Sequence, residues 1–436
     1  MLPRFDVRGL ADSALAAALP RPDAGGPGDD VVASVRSILA DVRSRGDAAV
    51  RDLTARFDGV RLDELAVPAT EWKRAHDAIP TAVRHGLETA AANVRAFQEA
   101  EAAPEVDWVN GGLRVRTLRR AVDRAGCYVP GGRAAYPSTV LHTAVPARVA
   151  GVTEVVVCVP PDATGRVPDV VLAAAAVAEV DAVYRIGGAQ AIGALAYGTE
   201  SVSPVDVIVG PGNVYVAVAK REVAGEGRVG VPSAFAGPSE IVVIADGTAV
   251  AEHAAIDLVL QAEHGPDGLA WLIAWDEAVA DAVTAEVATI VAASPRRAQL
   301  ESTLGDGGYA VIVDGPEQAV AVANAVAPEH LELLVADPEA LLPLVRHAGA
   351  VFCGEFAPAS LGDYLAGPNH VLPTFGSARF SGALRVDDFL KHVHVVSVDQ
   401  AGLAAVADQV AALADYEGLP AHAESVRLRT RTEGRP

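Results

Sequence analysis

Glu154-Val-Val-Val-Cys-Val159, followed by Ala182-Val-Tyr-Arg-Ile186 and Asp206-Val-Ile-Val209, decides the fold class. Each is a short run rich in β-branched residues, the pattern of a strand buried on both faces, and Ala-rich helical stretches separate them. Strands alternating with helices at this spacing predict a parallel sheet in an α/β architecture. A second series reads the same way over 240–245, 269–275, 309–313, 330–335 and 349–353, so two similar sheets are expected. Upstream, over 31–105, apolar residues recur at helical spacing, as in Val31, Val35, Ile38, Leu39 and Val42 and again in Val83, Leu87 and Ala91, which predicts helices. Between the two series lies Val231-Pro-Ser-Ala-Phe-Ala-Gly-Pro238, a loop where a hinge or domain crossing costs little. After Thr374, a segment with Phe380, Leu384 and Phe389 precedes a helix over 403–416, and 427–436 reads as a frayed basic tail. Such a piece is too small to fold alone and has to dock on the body or on a second subunit.

The chain's 436 residues exceed the ~250–300 at which one hydrophobic core stops growing, so more than one packed unit is expected. Lys and Arg (35) against Asp and Glu (56) give a net charge of −21, and that field repels a phosphate backbone, which argues against nucleic acid as a partner. Every strongly apolar stretch is broken before it reaches the ~18 residues of a membrane span. Residues 1–22 open with the mixed charges Arg4, Asp6 and Arg8 instead of a basic leader, so no secretion signal is read. An odd cysteine count, Cys127, Cys158 and Cys353, fits a reducing compartment, and a cytoplasmic protein is expected.

Several segments carry groups capable of chemistry. Gln261 and His264 stand one helical turn apart near the end of a helix over 249–264, where they read either as two ligands to one ion or as a cap on a solvated face. Asp363 and His370 lie in a Gly-rich loop after the 349–353 strand, a place where α/β sheets put functional side chains. Gln261, His264, Asp363 and His422 together offer two nitrogen and two oxygen donors, a set zinc accepts. Taken singly, Asp363 also reads as a turn carboxylate and His422 as a surface imidazole. Glu329-His330 reads either as an acid/base pair or as an exposed loop before a buried strand. The Rossmann fingerprint G-x-G-x-x-G with a downstream acidic residue is absent. In its place stand three Gly-rich turns: Tyr128-Val-Pro-Gly-Gly132, Gly187-Gly-Ala-Gln190 through Gly193, and Gly210-Pro-Gly-Asn213. Two of them join a strand to a helix, where backbone N–H groups hold a pyrophosphate.

Taken together, Gly126-Cys-Tyr-Val-Pro-Gly-Gly132, Ile186-Gly-Gly-Ala-Gln-Ala191, Gly210-Pro-Gly-Asn213, Ala236-Gly-Pro-Ser-Glu240, Gln261-Ala-Glu-His-Gly265, Pro328-Glu-His330, Gly362-Asp-Tyr364 and Asn369-His-Val-Leu-Pro373 resemble the histidinol dehydrogenase family from about Val31 to His422. The resemblance implies two Rossmann-like parallel-sheet domains of the aldehyde dehydrogenase-like kind, with small N- and C-terminal helical segments. It divides the chain into an N-terminal arm (1–25), a discontinuous α/β domain with the metal and catalytic residues (26–129 and 236–376), an inserted NAD-binding α/β domain (130–235) and a dimerisation segment (377–436). It implies one zinc per subunit held by Gln261, His264, Asp363 and His422, the last reaching in from the partner of a homodimer. NAD would contact Tyr128, Gln190 and Asn213. The substrate would be surrounded by Ser239, Gln261, His264, His330, Asp363, His370, Glu417 and His422. Glu329 and His330 match the acid/base pair of an enzyme that oxidises L-histidinol through its aldehyde to L-histidine, consuming two NAD+. One position departs from the pattern: Ala359 stands where the family often carries a substrate-facing Glu.

Other mechanisms use the same residues differently. A thiolate at Cys127 would act as an aldehyde-capturing nucleophile, but no neighbouring His or Lys lowers its pKa, so a packing role is expected. A zinc hydrolase with merely structural Gly turns is a second alternative, and a metal-stabilised scaffold a third. The paired Glu329 and His330 speak against the scaffold.

Overall fold

The computed structural model describes residues 2–20, 28–132, 134–232, 237–263, 265 and 267–431. The expected hinge over 231–238 lies partly outside them, at 233–236. The chain divides into two units, Met1–Ala100 with Asp123–Phe389, and Glu101–Val122 with Leu390–Pro436.

Thirteen strands occur among the described residues: β1 (Arg4–Asp6), β2 (Val106–Asn110), β3 (Leu113–Ala121), β4 (Arg124–Tyr128), β5 (Glu154–Val159), β6 (Ala182–Arg185), β7 (Val207–Val209), β8 (Glu240–Ala245), β9 (Leu269–Ala274), β10 (Gly308–Ile312), β11 (His330–Leu334), β12 (Ala350–Cys353) and β13 (Leu390–Val398). The first unit holds two wholly parallel sheets, ordered β6-β5-β4-β7 and β1-β10-β9-β8-β11-β12. The α/β class and the existence of two parallel sheets agree with the sequence pattern, but β1 and β4 were not among the strands it predicted.

The reason lies in the side chains. Along β8, Ile241 and Val243 join one hydrophobic cluster while Val242 and Ile244 join another, so each face of the sheet has its own core. One cluster packs under the helices Ala251–Ala262 and Glu277–Ala293, and the other under Pro316–Val326. Over the four-stranded sheet, Val35, Leu39, Val42 and Val50 of the helices Asp29–Arg45 and Asp47–Phe57 pack with Ile192, Leu195 and Ile208. The N-terminal arm supplies β1, which extends the larger sheet by pairing Arg4 with Ala310.

Strand order places the sites. In the smaller sheet the chain runs outward from β4 to β6 and returns on the other side of β4 with β7, which creates a switch point at the carboxyl ends of β4 and β7. In the larger sheet β8 leads outward to β10 and β11 returns on the other side of β8, pairing His330 with Ile241. The residues that start β8 and β11 are thereby neighbours.

The second unit is an antiparallel sheet, β13-β3-β2, with two helices, Gln400–Tyr416 and Pro420–Thr430, that meet through Ala411, Ala414, Ala423 and Val426. Asp399 caps the first helix by accepting from the Gly402 N–H at 2.7 Å. The sequence pattern revealed the first helix but not the second, which continues through 427–430 where a frayed tail was expected, and not the strands, because β2 is exposed along its whole length and β3 carries four arginines in nine residues.

Candidate active site

Glu240 opens β8 with Ser239 just before it, and Glu329 immediately precedes β11. The Ser239 hydroxyl donates to Glu329 Oε2 at 2.6 Å, and the Glu240 N–H donates to the same oxygen at 3.0 Å. Glu329 and His330 are both buried, which removes the exposed-loop alternative for this pair. Burial raises the Glu329 carboxyl above its ordinary range, against the opposing pull of His330 and of the two hydrogen bonds.

His330 Nδ1 lies 3.3 Å from the Glu240 carbonyl and 3.8 Å from Glu329 Oε2, while Nε2 lies 3.7 Å from Asp363 Oδ1. A carbonyl only accepts, so this contact puts a proton on Nδ1 and leaves Nε2 to exchange one with a ligand. Burial lowers the basicity of His330, but the Glu329 and Asp363 carboxylates outweigh it and push the ring up to about 9. At about 9 the ring is mostly protonated near neutral pH, so His330 accepts a proton at Nε2 only in the fraction that has lost its own, and base action through it should strengthen as pH rises towards 9.

Asp363 rides on the short helix Ala359–Tyr364, whose first N–H, at Ala359, donates to Glu332 Oε1 at 2.9 Å. Its backbone carbonyl faces His370 Nδ1 at 2.9 Å. His370 in turn is fixed by His142, a residue the motif reading passed over. The two rings stack at 4.1 Å and 15°, the His370 N–H donates to His142 Nδ1 at 3.3 Å, and Asn369 Nδ2 donates to the His142 carbonyl at 2.6 Å. Burial and then His370 lower the pKa of His142, so it stays neutral. Two further buried acids, Asp257 and Glu332, were also missed. Burial raises both, and Asp257 helps push Glu332 up to about 8. The available signal was a polar residue inside an apolar run: His142 after Val140-Leu141, Asp257 between Ile256 and Leu258, and Glu332 between Leu331 and Leu333.

Of the expected metal ligands, Gln261 is buried near the end of the helix Ala251–Ala262, and His264 lies outside the described residues. His422 and Glu417 are exposed residues of the second unit. Among the described residues no group of three His, Cys, Asp or Glu is assembled as a metal centre. The donor types nonetheless suit zinc, with amide and carboxylate oxygens from Gln261 and Asp363 and imidazoles from His264 and His422.

The expected cofactor residues gather at the switch point of the smaller sheet. Tyr128 ends β4, and its hydroxyl oxygen accepts from the Gly188 N–H at 3.1 Å. Gln190 is buried on the next helix, and neither amide atom of its side chain has a hydrogen-bond partner. Asn213 Oδ1 caps the helix Val214–Gly225, accepting from Tyr215 and Val216 at 3.1 Å each, which leaves Nδ2 for a ligand. Gly210 sits at φ +105°, and a Cβ there would stand 2.1 Å from the Tyr128 carbonyl, so this turn requires glycine. The buried Lys220 ammonium donates to the Gly210 carbonyl at 2.7 Å and braces the turn from behind. Orphaned amide atoms beside close-packed glycines suit a dinucleotide.

Both sets line one cleft of about 1710 Å³ in the first unit, with Tyr128, Gln190 and Asn213 on one side and Ser239, Glu329, His330, Asp363 and His370 on the other. Cys127 is fully buried, and burial pushes its thiol up to about 12, partly offset by Thr143 and Arg148, which suits packing and not thiolate chemistry.

Comparison with known proteins finds relatives over nearly the whole chain. A family model for histidinol dehydrogenase matches residues 25–430. The chain is 50% identical over 401 residues to the histidinol dehydrogenase of Parasynechococcus marenigrum, covering 92% of this chain and 91% of that one. It is 42% identical over 404 residues to that of Methanosarcina barkeri, covering 92% of each. The crystal structure of histidinol dehydrogenase from Elizabethkingia anophelis superposes with a TM-score of 0.93 at 31% identity, covering 98% of both chains.

Proposed function

This chain belongs to the histidinol dehydrogenase family of oxidoreductases, and from that membership and the cleft's geometry we propose that it oxidises L-histidinol through L-histidinaldehyde to L-histidine, the last steps of histidine biosynthesis. Two NAD+ are consumed per turnover and one zinc ion serves each subunit. The observation that carries this reading is the buried Glu329–His330 pair, beside Asp363, in the same cleft as Tyr128, Gln190 and Asn213.

Gln261, His264, Asp363 and His422 would hold zinc, whose contribution when bound is to orient the imidazole and amine of the substrate as a Lewis acid. NAD+, held by Tyr128, Gln190 and Asn213, supplies the hydride acceptor. His330 Nε2 takes the alcohol proton in the first oxidation. Glu329, fixed by Ser239 and the Glu240 N–H, then activates a water against the aldehyde. Ser239, His370 and Glu417 complete the substrate's surroundings, and burial of the pair keeps the aldehyde away from bulk water.

The protein works as a homodimer, with His422 of one copy entering the other's site. Supporting this, the second unit exposes Leu413, Tyr416, Leu419 and Leu428 around the segment that carries Glu417 and His422. An NAD-binding domain built on the four-stranded sheet, which β4 and the helices of 29–57 join, and a cytoplasmic location belong to the same proposal. The latter is supported by free cysteines at 127, 158 and 353. Among the described residues no helix is long and apolar enough to cross a membrane. Chelation is the test: treatment with a strong chelator should abolish NADH formation from L-histidinol, and added zinc should restore it. Undiminished turnover in metal-free protein would refute the zinc assignment.

A further inference from the structure

The dinucleotide side of the cleft contains an ionisable group that the functional reading leaves unused. Asp58 follows the helix Asp47–Phe57, where its N–H closes the last turn by donating to the Thr54 carbonyl at 2.9 Å. Its side chain lines the cleft together with Tyr128, Gly188 and Gln190. Oδ2 has no solvent contact and no hydrogen-bond partner. Arg56, which lines the same wall, stacks on Phe57 at 5.0 Å and makes no ion pair with Asp58. A carboxylate oxygen withdrawn from water without a donor is costly, and burial alone pushes this carboxyl up to about 6. Two side chains on this wall, Asp58 and Gln190, thus carry polar atoms with no partner in the protein.

The position that usually serves a ribose is already occupied. In doubly wound dinucleotide folds an acidic residue just after the strand that follows the Gly-rich turn accepts from the ribose hydroxyl. Here that strand is β5, and the acid beyond it is Asp162. Its Oδ1 accepts from the Thr164 N–H (2.8 Å), the Thr164 hydroxyl (2.6 Å) and the Arg166 N–H (3.0 Å), so it is spent on its own turn, and it does not line the cleft.

We propose that Asp58, supplied by the N-terminal helices, is the acceptor for the vicinal hydroxyls of a nucleotide ribose and selects the unphosphorylated dinucleotide. This rests on the NAD+ reading and deepens it. Two adjacent O–H donors satisfy one carboxylate, the partner that Oδ2 lacks. A 2′-phosphate would instead place negative charge against a carboxylate in a water-poor wall.

The test is equilibrium titration of the zinc-loaded wild-type protein, Asp58→Asn and Asp58→Glu with NADH, NADPH and L-histidinol, together with thermal midpoints. Loss of charge-assisted hydrogen bonds predicts NADH binding about tenfold weaker in Asp58→Asn, with its preference over NADPH reduced. L-Histidinol binding should be unchanged, the thermal midpoint equal or higher because an unpaired buried charge is gone, and the preference retained in Asp58→Glu. NADH affinity unchanged in Asp58→Asn would overturn the inference. So would a lowered midpoint with both ligands weakened together, the mark of a structural role. Failure of the wild-type protein to bind NADH at all would overturn the NAD+ reading itself.

Discussion

The two sheets of the first unit serve the cleft with opposite ends and opposite chemistry. The four-stranded sheet offers its carboxyl ends, where Tyr128, Gly188, Gly210 and Asn213 present backbone, glycine space and amide groups. The six-stranded sheet offers the amino ends of β8 and β11, where Ser239, Glu329 and His330 form a buried titratable cluster completed by Asp363. A dinucleotide is carried whole and needs shape and hydrogen bonds. A substrate that loses protons needs groups whose affinity for protons is tuned by burial and by neighbours. The difference predicts that the four-stranded end is most sensitive to a Cβ at Gly210 and the six-stranded end to loss of the ionisable groups at Glu329 and His330.

The largest effect is expected at the six-stranded end. Glu329→Gln should slow oxidation of added L-histidinaldehyde about a thousandfold while slowing alcohol oxidation far less, and His330→Gln should reverse that bias. Single-turnover measurement of each half-reaction checks it, and equal losses in both would break the division of roles. At the other end, Gly210→Ala should weaken NADH binding about a hundredfold and lower the thermal midpoint, since the new Cβ meets the Tyr128 carbonyl. L-Histidinol binding to the folded fraction should be spared, and its loss would show that the two ends are not separable.

A smaller effect is expected beneath the catalytic cluster. His142→Phe keeps the ring against His370 but removes the acceptor for its N–H, so KM for L-histidinol should rise about tenfold with kcat less affected. A fall in kcat alone would assign His142 to the chemistry instead. Glu332 gives the smallest, a pH effect on stability. Its ordinary value is 4.5 and in the folded protein it is held at about 8, so the folded state keeps a proton that the unfolded chain releases. Its contribution is fully present below about 4.5 and is lost as pH rises towards 8. Glu332→Gln should flatten the decline in thermal midpoint over that range, and an unaltered slope would contradict the protonated state.

Most of both parallel sheets was legible because strands buried on two faces read as bare apolar runs, and β5 and β8 begin and end where the runs do, but the short β1 and the Gly- and Arg-containing β4 went unread. The three antiparallel strands of the second unit were not, since exposed strands such as β2 carry no such signature. Glu329, His330 and Asp363 could be named from motif and resemblance, but their mutual distances depend on β8 and β11 being neighbours, which strand order alone decides. His142, Asp257 and Glu332 lay hidden in apolar segments, where the hydrophobic period masks a single polar residue. Asp58 was invisible for another reason: it comes from the N-terminal helices, far in sequence from every Gly-rich turn.

The most direct test is the ratio of NADH formed to L-histidinol consumed, measured to completion with the zinc-loaded protein. Two oxidations within one cleft predict a ratio of two with L-histidine as the product. A ratio of one with accumulated aldehyde, or no NADH at all, would contradict the account.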